Sequence, residues 1–271
     1  MRVIVIASQK GGSGKTTLSG HLAVQAEAAG AGPVAIIDTD PQGSLAEWWN
    51  ARQSTSPYFA RATLDELEED LTALAALGTK LAIIDTPPAI TKAIQQVVHC
   101  ADMVIVPIRP SPHDLRAAAA TVELVEDIER PFVFVVNGAT ARAKITGDTA
   151  VTLSQYGTVA PVTLHQRVDF ATSMIDGRTV METAPESRSA TEMTQLWDYV
   201  GIKLDKAVQR HGRALDTPGP GVPLAAGSEA PAPQATPRVP HIPLNTTAGR
   251  GEGRLRPHTT FGRRSYEEGR A

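Results

Sequence analysis

The residues with the clearest chemistry form a glycine- and lysine-rich run close to the start of the chain, directly after the apolar residues 3–7. The run reads Lys10-Gly11-Gly12-Ser13-Gly14-Lys15-Thr16-Thr17. Glycines let backbone N–H groups approach phosphate oxygens closely, and the N-terminus of a following helix adds partial positive charge. In such a loop Lys15 can reach the β- and γ-phosphates of a nucleotide, and the Thr16 hydroxyl can bind Mg²⁺. The run therefore predicts a phosphate-binding loop between a strand and a helix.

The start of this loop departs from the general phosphate-loop pattern. Gln9 stands at the position of the first glycine, and a second lysine, Lys10, comes directly after it. Lys10 has no obvious task in its own loop. It is either a solvated surface lysine or a cation that acts elsewhere.

Two carboxylates follow the next apolar segment, residues 34–38, at the start of Asp38-Thr39-Asp40-Pro41-Gln42-Gly43-Ser44. Such a pair can hold Mg²⁺ through waters and can orient a water molecule for attack on a γ-phosphate. Aspartate, proline and glycine are also common turn residues, so the segment alone fits a simple turn equally well. Its position after a phosphate loop favours the catalytic interpretation.

A third acid, Asp85, ends the apolar residues 81–85 and precedes Thr86-Pro87-Pro88. An acid at the end of a buried strand matches the residue that supports Mg²⁺ in phosphate-loop enzymes. An aspartate at a strand end is also often a helix cap, so this signal is weak on its own.

The spacing of apolar segments predicts the fold. Strands are expected over residues 3–7, 34–38, 81–85, 103–107, 132–137 and 159–164. Helices are expected over residues 17–29, 64–77, 90–99, 114–128, 149–156 and 189–208. The strand segments are mostly apolar without alternation, as in a parallel sheet that is covered on both faces. We therefore predict one α/β domain over residues 1–211, with a doubly wound, mostly parallel sheet and helices on both faces.

The composition changes near His211, after which proline, glycine, alanine, threonine and arginine dominate. Such a segment cannot bury enough apolar surface to offset the entropy lost on ordering. Residues 212–271 are therefore predicted to be a disordered tail.

Net charge, cysteine content and the lengths of apolar runs restrict the possible partners and the compartment. The formal net charge is −3, so contact with nucleic acid or an anionic membrane would need a local basic patch. Cys100 is the only cysteine, which excludes a disulfide framework within one chain and suits a reducing compartment. We find no signal peptide and no apolar run of about 18 residues, so we expect a cytoplasmic protein without a membrane span.

The order and spacing of these motifs over the first 90 residues resemble the ParA group of deviant Walker A ATPases, within the ParA/MinD superfamily. Later segments also resemble that group and extend the likeness to about residue 205: Val106-Pro107, Pro110-Ser111-Pro112-x-Asp114-Leu115, Val135-Val136-Asn137, Arg167-x-x-Phe170 and Gly177-Arg178-Thr179-Val180-x-Glu182. Larger members carry an N-terminal helix-turn-helix domain. Because the first strand segment starts beside Arg2, we expect the small type without that domain.

The resemblance implies a role for each site residue, with ATP as substrate and Mg²⁺ as cofactor. Lys10 would cross to the nucleotide of the partner subunit in an ATP-dependent sandwich dimer. Asp40 would orient the attacking water with support from Asp38, and Asn137 would meet the adenine edge. The phosphates would be held by Gly11, Gly12, Ser13, Gly14, Lys15, Thr16 and Thr17. The metal would be held by Thr16, Asp38 and Asp85.

The resemblance also implies a partition or positioning function. The dimer would bind nucleoid DNA without sequence preference and would move a plasmid, a chromosome region or a protein organelle. A ParB-like or other adaptor protein would stimulate hydrolysis and reset the cycle. Candidate DNA-binding residues are Arg142, Lys144, Arg167, Arg178 and Arg188, although each of them, taken alone, fits a plain surface residue better.

Two alternative functions lie within the same superfamily. A MinD-like membrane-cycling ATPase needs an amphipathic C-terminal helix, whereas the end of this chain is broken by Gly262 and has few apolar residues. A reductase related to the nitrogenase iron protein needs bridging cysteines at a dimer face, and Cys100 alone gives no paired motif. Partition or positioning is therefore the favoured function.

Overall fold

The predicted apolar strand segments form one sheet in the computed structural model, which describes residues 1–89 and 92–215. Within those residues the strands are β1 (Arg2–Ile6), β2 (Val34–Asp38), β3 (Tyr58–Phe59), β4 (Leu81–Asp85), β5 (Met103–Ile108) and β6 (Phe132–Val136). Their order across the sheet is β3-β2-β4-β1-β5-β6. Every neighbouring pair is parallel, which confirms the predicted parallel sheet.

Helices cover both faces of this sheet, as predicted. In the described part of the chain they are α1 (Lys15–Ala28), α2 (Ser44–Ala51), α3 (Leu67–Ala76), α4 (Lys92–His99), α5 (Pro112–Asp127), α6 (Lys144–Ser154), α7 (Val168–Met174), α8 (Val180–Thr183) and α9 (Arg188–Leu215). Helices α3 to α6 pack on one face, and α1, α2 and α7 to α9 pack on the other. Alternate strand residues face the two layers, as Val5 and Ile6 do, and both are fully buried.

The register of the central strands brings the predicted acids together at one edge of the sheet. Asp38 at the end of β2 pairs with Asp85 at the end of β4, and Asp85 also pairs with Ile6 at the end of β1. The phosphate loop leaves β1 at this edge. In an open α/β sheet, ligands bind outside the carboxyl ends of the strands. The fold therefore places all three candidate motifs where a ligand would bind.

The predicted strand at residues 159–164 is wrong. This segment runs beside β6, where Ala160 and Leu164 donate backbone hydrogen bonds to Phe134 and Val136. Only isolated bridges form, one of them between Phe134 and Val159. Ala160 and Leu164 are four residues apart but donate to residues only two apart in β6, so the segment bulges and a continuous ladder does not form.

Several boundaries also differ from the sequence-based expectation. The two-residue strand β3 and the short helices α2, α7 and α8 were not predicted, because elements of this length carry little periodic signal. Helix α6 starts at Lys144 rather than at residue 149, and α9 continues to Leu215. Of the predicted tail at 212–271, residues 216–271 lie outside the described part of the chain.

Candidate functional site

The loop between β1 and α1 has a backbone that only glycine accommodates at its last turn. Gly14 has a φ of 93°, in the left-handed region, and directly precedes α1. A Cβ atom on Gly14 would lie 2.3 Å from Nδ2 of Asn137. Asn137 follows β6, and its side-chain amide donates a 2.7 Å hydrogen bond to the carbonyl oxygen of Ser13. The predicted adenine-contacting residue is thus attached to the phosphate loop itself.

Lys15 begins α1 and is buried, with 7% of its surface exposed. Burial lowers the pKa of Lys15, because desolvation disfavours the charged ammonium, while the charges of Asp85 and Asp40 oppose that shift. A bound phosphate would add negative charge beside the ammonium and favour its charged form. The lysine therefore lies in an environment suited to an anionic ligand.

Asp85 is more deeply buried than Lys15, with an exposed fraction of 1%. Burial raises its pKa to about 7, and the neighbouring charge of Asp38 adds to that effect. The Thr16 hydroxyl donates a 2.7 Å hydrogen bond to Oδ2 of Asp85, and the Ser19 hydroxyl lies 3.3 Å from Oδ1. The hydroxyl and carboxylate oxygens offer the hard oxygen ligands that Mg²⁺ prefers, and a cation here would stabilise the ionised carboxylate.

Asp38 organises the loop that carries Asp40. Oδ2 of Asp38 accepts hydrogen bonds from the backbone N–H groups of Leu45 and Ala46 in the first turn of α2, at 2.9 and 3.0 Å. Its Oδ1 accepts from the N–H of Asp40 at 3.0 Å. Burial raises the pKa of Asp38, and these backbone hydrogen bonds oppose the shift. Both oxygens therefore already hold backbone groups, which favours a positioning task over direct metal binding.

Asp40 lies at the mouth of the phosphate loop. Its Oδ1 accepts a 2.9 Å hydrogen bond from the N–H of Gln42. Asp40 lines a cavity of about 680 Å³ together with Gly12, Lys15 and Thr16. The structure thus brings together Lys15, Thr16, Asp40 and Asp85, which the sequence predicted from separate motifs.

A second cavity, of about 200 Å³, lies beside the first. Asn137, Gly138, His165 and Phe170 contribute to its lining. Only part of the wall is apolar, and its polar groups come from the segments after β6, from Thr17 of α1 and from Arg109 after β5. A mixed surface of this kind, next to a phosphate loop, suits a nucleoside.

Sequence reasoning missed Arg109 and the pair formed by His165 and Glu192. Arg109 lines both cavities. It follows β5 directly, so the rule that ligands bind at strand carboxyl ends could have found it. Nδ1 of His165 lies 2.8 Å from Oε1 of Glu192. No sequence signal identified this pair, because its members come from different elements.

The remaining predicted residues lie at or near the surface and differ in whether their charge is paired. Lys10 is exposed at the start of the phosphate loop, where its backbone N–H donates to the Ser8 hydroxyl. Arg167 forms two 2.7 Å hydrogen bonds to Glu192. Arg178 pairs with Asp176 at 2.6 Å. The other DNA-binding candidates are exposed, namely Arg142 and Lys144 at the start of α6 and Arg188 at the start of α9.

The chain matches one known protein family over most of its length. Residues 4–180 match the family model of the CobQ/CobB/MinD/ParA nucleotide binding domain. The chain belongs to this family. Membership confirms the predicted place in the ParA/MinD superfamily.

One curated protein is similar to this chain in sequence, and two solved structures are similar to it in fold. The chain is 28% identical over 210 residues to the maintenance of carboxysome distribution protein A of Halothiobacillus neapolitanus, covering 73% of this chain and 95% of that protein. The fold is similar to the cell division ATPase MinD of Pyrococcus furiosus, with a TM-score of 0.64, 16% identity, and coverage of 74% and 98%. It is also similar to a putative plasmid partition protein of Borrelia burgdorferi bound to AMPPNP, with a TM-score of 0.61, 17% identity, and coverage of 74% and 99%.

Within residues 1–89 and 92–215, every helix is too short or too polar to cross a bilayer.

Proposed function

We propose that this chain is a Mg²⁺-dependent ATPase of the ParA type, which dimerises on ATP and positions a cargo on nucleoid DNA in the cytoplasm. The observation that carries this proposal is the convergence of Lys15, Thr16, Asp40 and Asp85 at one edge of the sheet. Phosphoryl transfer needs positioning and charge neutralisation more than covalent chemistry, and these residue types supply both.

The chain's own residues divide the task in cis. The loop residues Gly11 to Thr17 and the ammonium of Lys15 hold the phosphates. Thr16 and Asp85 hold Mg²⁺, which when bound neutralises negative charge on the phosphate oxygens. Asp40 orients the attacking water, and Asp38 fixes the backbone that carries Asp40. Asn137 keeps the base-side wall in contact with the loop.

Lys10 completes the site from the partner subunit. Its side chain is exposed at the start of the phosphate loop, where a second copy could contact it. A cation delivered across an interface neutralises charge that develops in the transition state, as an arginine finger does. Dimerisation on ATP would therefore couple assembly to hydrolysis.

The dimer would hold nucleoid DNA through a local basic patch. Arg167 and Arg178 already pair with carboxylates, so most of their charge is offset within the chain. Arg142, Lys144 and Arg188 are exposed and form no ion pair within the described residues. We assign the main DNA contacts to these three residues.

A ParB-like or other adaptor protein would stimulate hydrolysis and reset the cycle. The carboxysome-distribution relative favours a protein organelle as cargo over a plasmid or chromosome region.

The direct test measures hydrolysis and DNA binding together. We expect ATP turnover that requires Mg²⁺, and DNA binding that requires ATP and weakens steeply as salt rises. The variant Asp40→Ala should bind ATP but fail to hydrolyse it. ATP-dependent binding to anionic liposomes, without any binding to DNA, would instead support the MinD-like alternative and overturn this proposal.

A further inference from the structure

Arg109 occupies the boundary between the two cavities of the site. It is the first residue after β5, at the same edge of the sheet as the phosphate loop. The two cavities have three lining residues in common, which are Gly14, Thr17 and Arg109. Gly14 and Thr17 belong to the phosphate loop and the start of α1, so Arg109 faces them from the β5 side. A nucleotide that fills both cavities must pass between these residues.

The stem of Arg109 is held in place by a glycine. Gly138 has a φ of 62°, and a Cβ atom there would lie 3.4 Å from Nε and 3.6 Å from Cγ of Arg109. The arginine chain therefore lies against the Gly138 backbone. Gly138 directly follows Asn137, which is hydrogen-bonded to the phosphate loop. The contact directs the guanidinium to the boundary between the cavities.

The charge of Arg109 is not offset inside the chain. Of the other cations that line the cavities, Arg167 is paired with Glu192, and Lys15 lies in the field of Asp85 and Asp40. Within the described residues, the guanidinium of Arg109 has no ion pair and no hydrogen bond. A planar cation with free donors at this position is suited to bind phosphate oxygens in a bidentate manner.

We propose that Arg109 binds the α-phosphate of the nucleotide in cis. The phosphate next to the ribose is the anionic group that must lie at the boundary between a nucleoside cavity and a phosphate-loop cavity. Arg109 donates hydrogen bonds to that phosphate from one side, while Gly14 and Thr17 approach it from the other. This inference rests on the proposed ATP-binding function and adds a substrate-binding residue to it. Because ADP retains the α-phosphate, the contact persists after hydrolysis.

The test compares ATP and ADP affinities of the full chain, measured by displacement of a fluorescent ATP analogue. We expect Arg109→Gln to weaken both nucleotides equally, by about tenfold, as for loss of a charge-assisted hydrogen bond at a partly exposed site. Arg109→Lys keeps the charge but loses the planar fork, so it should lie between wild type and Arg109→Gln. Arg61→Gln removes an exposed arginine outside both cavities and should leave both affinities unchanged.

Each other outcome overturns the inference. Unchanged affinities in Arg109→Gln would show that the guanidinium does not touch the nucleotide. Weaker ATP binding with unchanged ADP binding would place the contact at the γ-phosphate. Arg109 is exposed and unpaired, so the apo melting temperature should not change, and a large fall would assign it a structural role. If wild type bound no ATP, the proposed function itself would fail, and that result is distinct from a failure of Arg109 alone.

Discussion

The phosphate loop can form only because Gly14 has no side chain. Replacement by alanine puts a methyl group 2.3 Å from Nδ2 of Asn137, at a φ of 93°. We expect Gly14→Ala to abolish measurable ATP binding, because both the loop and its hydrogen bond from Asn137 must shift. Titration with a fluorescent ATP analogue gives the measurement.

The matched control for Gly14 is Gly78, which has a φ of 94° but open space around the added methyl group. Gly78→Ala should cost about 1 kcal/mol of stability from backbone strain and leave ATP affinity unchanged. Equal ATP binding by Gly14→Ala and wild type would contradict the structure of the loop.

His21 is a buried residue of α1 with a distinct pH signature. Its Nδ1 lies 2.7 Å from the carbonyl oxygen of Thr17, and its Nε2 accepts from the N–H of Val180. Burial lowers the pKa of His21 to about 4. The unfolded chain, with a pKa near 6.5, therefore binds more protons between pH 6.5 and 4, so the contribution of His21 to stability falls as the pH drops through that window.

The measurement for His21 is the free energy of unfolding of wild type and His21→Gln between pH 7 and pH 4.5. The difference between the two proteins isolates His21, since other titrating groups contribute to both. We expect this difference to shrink as pH falls, by up to roughly 3 kcal/mol. A difference that stays constant over the range would show that His21 titrates normally.

The sequence alone predicted part of the candidate site. Lys15, Thr16, Asp40 and Asp85 could be found because each follows a recognisable strand segment. Arg109 directly follows β5, so the strand-end rule could have pointed to it, but its place between two cavities depends on β5 lying beside β1 and on a glycine in the next loop. The engagement of Asp38 by backbone N–H groups was equally hidden, since it depends on where α2 begins.

At the scale of elements, hydrogen bonds join α2, the helix after Asp40, to α8 and to the segment that precedes α8. We call these contacts the clamp. Arg52 follows α2, and its side chain is only 3% exposed. It donates to the carbonyl oxygen of Gly177 and to both carboxylate oxygens of Glu182. Trp48 of α2 adds a hydrogen bond to the carbonyl oxygen of Arg178. The loop of Asp40 is thus held on one side by the sheet and on the other by this clamp.

Removing the arginine should loosen the clamp. Arg52→Met removes the arginine donor from the Gly177 carbonyl and the paired charge from the Glu182 carboxylate, which keeps its hydrogen bonds from Thr179. We therefore expect a loss of about 2–4 kcal/mol in the free energy of unfolding. Urea denaturation measures this loss.

The matched control for the clamp is Arg178→Met, which breaks an ion pair whose members are 54% and 51% exposed. That change should stay within about 0.5 kcal/mol, because solvent screens exposed pairs. Equal losses in the two variants would contradict the clamp.

The elements themselves were predictable to different degrees. The long apolar strands β1, β2, β4, β5 and β6 carry a strong signal because both of their faces are buried. The extended segment at residues 159–164 has similar composition, but extra residues between its two hydrogen bonds to β6 interrupt the ladder. Helices α7 and α8 are too short for a periodic signal, and tertiary contacts such as the one between His21 and Val180 hold them.

At the scale of the whole molecule, Lys10 is exposed at the start of the phosphate loop and does not line the cavity that Asp40 shares with Lys15 and Thr16 in the same protomer. In a two-fold dimer each site would combine Asp40 of one protomer with Lys10 of the other. The trans role of Lys10 is therefore the central claim, since it connects the phosphate loop to an ATP-driven cycle of assembly.

Mixing two inactive variants tests this claim most directly. Lys10→Ala and Asp40→Ala should each abolish ATP hydrolysis alone, while an equal mixture should recover about a quarter of the wild-type rate, since half of the dimers are mixed and each carries one complete site. Steady-state ATPase assays of the two variants, alone and mixed, give the measurement. A mixture as inactive as its components would show that Lys10 acts within its own subunit, and full activity of Lys10→Ala alone would show that it has no catalytic role.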